Sequence, residues 1–164
     1  MTHWRKFFVG AVGALSILGV APISANADEG GTITEFDTMT PITGSAVGAV
    51  NDRGIKGGGI AWKITSGSGT LERDGHLKVA VTGLVLVPTG KNPIGKFQAM
   101  VSCRTTDNAI MNVETGSVTA TMPGGDAMVD TTVILPHPCT RAEVFVGGSP
   151  AGTFLWFAQS NPHD

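Results

Sequence analysis

The chain has 164 residues with 11 Lys and Arg against 13 Asp and Glu, a formal charge of −2 at pH 7, no Tyr and only two Cys. That length fits one domain. The mild acidity, with no cluster of Lys or Arg, argues against nucleic acid and against anionic lipid or polymer surfaces as partners.

Residues 1–27 read as an export signal. Arg5 and Lys6 supply a positive start, residues 7–20 an uncharged apolar run, and Ala25-Asn26-Ala27 an A-x-A cleavage site before Asp28. The rival reading is an uncleaved membrane anchor. Gly10, Gly13, Gly19, Pro22 and the A-x-A ending favour cleavage over it. Cleavage after Ala27 leaves 137 residues with a net charge of −4 and no second apolar run of spanning length, so the expected product is extracellular with no integral membrane span.

Residues 28–59 are rich in Gly, Thr, Ser and Ala and end in Gly57-Gly58-Gly59. Their composition allows either a flexible spacer or one or two weak edge strands, for instance Thr32 to Phe36, and they are read as a Gly/Thr-rich flexible segment, mostly loop. From Ile60 the hydrophobic period becomes two, the mark of half-buried strands. Ile60, Trp62 and Ile64 share a face, and Leu77, Val79 and Val81 alternate with polar residues after the turn pair Asp74-Gly75. Residues 84–87 form a continuous apolar run bounded by Gly83 and Pro88, and Phe97, Ala99, Val101 and Cys103 point to one side. Further strands are expected at residues 110–114, 117–122 and 128–135, with Pro123-Gly124-Gly125-Asp126 as the turn between the last two. Ala142, Val144 and Val146 define another strand, and residues 153–158 close the domain. No later stretch keeps a 3.6-residue period, so residues 60–160 are read as a single antiparallel β-sandwich, Ig-like or related, with one disulfide.

Cys103 and Cys139 both lie in the exported part. In an oxidising compartment such a pair is most simply a disulfide, for which chain entropy gives about 4 kcal/mol. Gly147-Gly148-Ser149-Pro150-Ala151 lacks the closing Gly of G-x-S-x-G, and His76, His137 and His163 show no metal-ligand spacing. Asp126 and Asp130 sit four apart, on one face if both lie in a strand, without an Asx-rich calcium loop. No catalytic, cofactor-binding or metal residue is therefore assigned. An alternative is a small extracellular hydrolase assembled from Asp126, Asp130, His137 and Ser149. Trp62 and Trp156 fall on inward registers, whereas Phe145 and Phe157 fall opposite their apolar neighbours and are read as a possible binding surface.

Several of these elements recur in order: Asn92-Pro93, Phe97-x-Ala99-x-Val101-Ser102-Cys103, Gly125-Asp126, Leu135-Pro136-x-Pro138-Cys139, Val144-Phe145-Val146 and Trp156-Phe157-Ala158. In this spacing the chain resembles a group of small secreted proteins of unknown function from high-GC Gram-positive bacteria. The resemblance implies a signal peptide, two cysteines and β character, and it transfers no catalytic residue. Arg141 and Glu143 depart from it, standing where apolar residues or proline are expected. The functional expectation is a secreted, non-catalytic β-sandwich that binds an unknown extracellular or cell-envelope ligand or serves as a structural component.

Overall fold

Among residues 30–161, which the computed structural model describes, twelve β-strands and one 3-10 turn at Gly44–Ala46 make up the regular structure. Residues 1–27, expected to be an export signal, lie outside the described residues. Four strands, β1 (Thr32–Phe36), β4 (Ser66–Glu72), β5 (His76–Thr82) and β10 (Ala127–Thr132), form one sheet in the order β1-β4-β5-β10. A second sheet runs β2 (Met39–Pro41), β12 (Leu155–Ser160), β11 (Thr140–Gly148), β7 (Lys96–Arg104) and β8 (Ile110–Glu114), with β9 (Val118–Thr119) also paired to β7. A two-stranded ribbon of β3 (Trp62–Lys63) and β6 (Val85–Leu86) completes the set. Every ladder is antiparallel. The fold is an all-β sandwich, as the period of two requires.

Alternation decides which side chains meet between the sheets. Leu71, Leu77, Val79, Val81 and Val129 from the first sheet join Phe97, Ala99, Val101, Val144 and Val146 from the second in one buried cluster. Phe36, from the edge strand β1, is only 1% exposed and belongs to the same cluster.

The flexible segment expected over residues 28–59 is not found from residue 30 onward. β1 and β2 pair with β4 and β12, and Phe36, Met39, Ile42 and Ile55 are buried. The rest of the segment straps the outer face of the second sheet. Asn112, Ser102 and Glu143 lie side by side across β8, β7 and β11. The Asn112 amide donates to the Arg53 carbonyl, and the Arg53 guanidinium pairs with Glu143. Gly58 N–H donates to Trp156 O at 3.0 Å, and Trp156 N–H to Lys56 O at 3.1 Å. Composition hid this because a few apolar anchors and one buried arginine, rather than a periodic run, fix the strap.

The DG turn closes the β4–β5 hairpin: Asp74 Oδ1 accepts from His76 N–H, and Gly75 adopts φ +89°. β4 itself was invisible in the sequence because its inward positions are Gly67, Gly69 and Leu71. A Cβ at Gly69 would lie 2.7 Å from the Phe36 ring and 2.4 Å from Lys78 O. Glycine there makes room for Phe36 rather than marking a linker.

Other expectations also shift. Ile60 is 48% exposed and Ile64 only partly buried, so of that trio Trp62 alone enters the core. Residues 84–87 yield the short β6, which pairs with β3 at a corner. The Pro123–Asp126 turn does not join paired strands, since β9 pairs with β7 and β10 with β5. It carries the chain from one sheet to the other. Asp126 holds it by accepting from Gly83 N–H at 2.8 Å, and Gly125 at φ +76° packs so close to Leu84 O that a Cβ would meet it at 2.1 Å.

Candidate functional site

The connection from β10 to β11 carries the sequence Leu135-Pro136-His137-Pro138-Cys139. Prolines remove backbone donors, so this stretch cannot extend a ladder and stands off as a loop. Its position is fixed covalently. Cys139 is bonded to Cys103, at the buried end of β7, across a Cα–Cα distance of 4.9 Å. The next residue, Thr140, pairs with Arg104, and its hydroxyl donates to Arg104 O at 2.8 Å. The expected disulfide is present, and it anchors one wall of a surface groove.

That groove has a volume of about 470 Å³ and runs between this loop, the start of β1 and the β4–β5 turn. An adjoining lobe of about 320 Å³ continues past Ile134 and Asp74. Leu135, Ile33 and the prolines form apolar walls, and Arg73, His137 and Arg141 supply the polar groups. Among the described residues, no carboxylate lines the larger lobe.

The arginines differ by location. Among the described residues, Arg53 is paired with Glu143 and Arg104 with Asp52, whereas no carboxylate lies within ion-pairing distance of Arg73 or Arg141. These two arginines line the same groove. Arg73 reaches it from the β4–β5 turn, where its backbone N–H donates to Gly31 O at 2.8 Å. Arg141 reaches it through a bulge, because the β11 register against β7 slips between Thr140 and Glu143. At that bulge Arg141 takes φ +45°, a left-handed conformation costing a non-glycine residue about 1 to 2 kcal/mol. Arg53 braces it from the buried side, donating to Arg141 O at 2.8 Å.

Arg141 and Glu143 are thus joined through one buried arginine, Arg53. Comparison with protein-family models, with curated proteins and with solved structures returns no match to the chain.

The remaining expected site residues are dispersed. Phe145 and Phe157 do not form a binding surface: they are 0% and 4% exposed. Phe145 packs edge-on against Trp156 under the strap, and Phe157 stacks on Trp62. Both faces of β11 and β12 are covered, which defeats a reading based on simple alternation. The four hydrolase candidates do not assemble either. Asp126 is spent on Gly83 and Thr121 in the crossing turn, and Asp130 on His76 and Lys78 on an exposed strand face. β10 spans about 20 Å between Asp126 and the loop that bears His137. Ser149 lies beyond the end of β11 opposite the groove. No group of three or more His, Cys, Asp or Glu among the described residues is arranged to hold a metal.

The His76–Asp130 pair makes a pH prediction. Asp130 accepts a hydrogen bond from the imidazole at 2.9 Å, and with the nearby charges of Asp130, Glu72 and Asp74 this raises the His76 pKa above its ordinary 6.5. The same bond, helped by Lys78, lowers that of Asp130. The charged imidazole therefore stabilises the fold below pH 6.5, and its contribution fades as pH rises through the raised value. On the acid side it fades as pH falls through the lowered Asp130 value. An NMR titration of His76 is expected to show a midpoint above 6.5 that drops in Asp130→Asn; an unchanged midpoint would contradict the pairing.

Proposed function

We propose that this protein is exported by its first 27 residues and acts outside the cytoplasm as a non-catalytic binding domain, with the groove beside the disulfide as its ligand site. The observation that carries the reading is that Arg73 and Arg141, without an ion-pair partner among the described residues, line one apolar-walled concavity. Ligand sites are typically concavities of about 300 to 1,000 Å³ with a few convergent polar groups. The Cys103–Cys139 bond favours an oxidising compartment, and among the described residues no helix is long and apolar enough to cross a membrane. The resemblance to small secreted proteins of high-GC Gram-positive bacteria points the same way.

The test expresses the full chain in a Gram-positive host and recovers it from the medium. Its amino terminus is expected to read Asp28-Glu29-Gly30. Returned to washed cell-envelope material, it is expected to be retained, and an R73A/R141A variant to be retained several-fold less. Retention of the chain in cells with Met1 intact would refute export, and equal retention of the variant would refute the groove.

A further inference from the structure

Resting on the reading of the groove as a ligand site, we propose that it is an oxyanion site, built to take a carboxylate or phosphate carried on a short apolar body. The chain as a whole has more acidic than basic residues, so a local surplus of positive charge is not inherited from composition. Of the four described arginines, two are neutralised elsewhere and the other two both line this one concavity, with His137 between their elements. Guanidinium groups present planar pairs of N–H donors that match the oxygens of carboxylates and phosphates, and two of them facing one space select against cations.

The backbone supports the same assignment. A left-handed arginine is retained at a bulge, where glycine would sit without strain, and a buried arginine holds its carbonyl. The arrangement fixes where the Arg141 side chain leaves the strand. Arg73 has its backbone tied to Gly31, just before β1, on the other side of the groove. Between them Leu135, Ile33 and Pro138 offer no charge to a ligand, and Ile134, 91% exposed, extends the apolar wall into the adjoining lobe. An anionic head with a short aliphatic body satisfies both halves of the groove. A bare ion would leave the apolar half unused, and a neutral chain would leave the guanidiniums unpaired.

The experiment uses the exported protein, labelled with nitrogen-15 and titrated with hexanoate, hexyl phosphate, hexanol and hexylammonium. Hexanoate and hexyl phosphate are expected to shift amides of residues 32–33, 73, 132–135, 137 and 139–141, with at least tenfold tighter binding than the other two and weakening as salt is added. The tighter of the two anions identifies whether a carboxylic acid or a phosphate ester is the natural source. Arg141→Gly is expected to lose at least tenfold in anion binding while folding as well as the parent, because glycine suits φ +45°. Equal binding of hexanol or hexylammonium in the groove would overturn the oxyanion assignment and leave the ligand-site reading standing. Anion binding unchanged in Arg141→Gly, or no shift with any of the four probes, would also overturn it, while envelope retention lost in R73A/R141A would still support a groove ligand of other chemistry.

Discussion

Replacing Cys103 and Cys139 together by Ser is expected to lower the unfolding free energy by about 4 kcal/mol. The bond joins residues 36 apart, and closing a loop of that size in the unfolded chain carries roughly this entropy. The native side adds little strain relief to offset it. Thr140 stays paired with Arg104 and hydrogen-bonded to its carbonyl, so the loop keeps its place when the sulfurs part, and the loss falls mainly on the unfolded state. Urea unfolding of the variant should show a lower midpoint, and thermal unfolding a drop of roughly 15 °C for a domain of this size. A loss under about 1 kcal/mol would mean that the unfolded chain already holds these two segments together.

The sequence made the sandwich legible where alternation is clean and one face is polar. Leu77, Val79 and Val81 on β5, and the Phe97 to Cys103 series on β7, were placed on the core side and lie there. It misled where a strand is covered on both faces, because polarity then stops reporting orientation: Met100, Ser102, Phe145 and Trp156 are all buried beneath the strap. It was silent at β4, whose glycines serve Phe36 and Met39 from β1 and β2. The disulfide followed from compartment and parity alone. The groove did not, because Arg73 and Arg141 are 68 positions apart in sequence and meet through the sheet order. The one available signal was Arg141 and Glu143 interrupting an otherwise apolar strand, which marked the position without naming its partner. His137, one of the four hydrolase candidates, does line the groove, but Asp126, Asp130 and Ser149 do not.

Truncating Phe157 to Ala is expected to cost about 3 to 5 kcal/mol, the range for a large aromatic removed from a close-packed core. Its ring stacks on Trp62 with centroids 4.1 Å apart and meets the edge of Phe97 at 6.1 Å. The remaining space is closed by glycine, since a Cβ at Gly58 would come within 3.1 Å of the ring. Neighbours this tight on three sides cannot collapse into the vacated volume, so the cavity persists and its cost adds to the lost transfer energy. Phe157→Leu, which keeps most of the volume, should cost about 1.5 kcal/mol or a little more, and the pair of variants separates packing from any aromatic role. A residue on an open binding face would instead change stability by less than about 0.5 kcal/mol on truncation. Trp62 supplies an independent readout, because its indole loses its stacking partner and its fluorescence should move toward that of a more hydrated tryptophan in the Ala variant. Parent-like stability and emission in Phe157→Ala would return this side chain to the surface and reopen the β11–β12 face as a place where a ligand could bind.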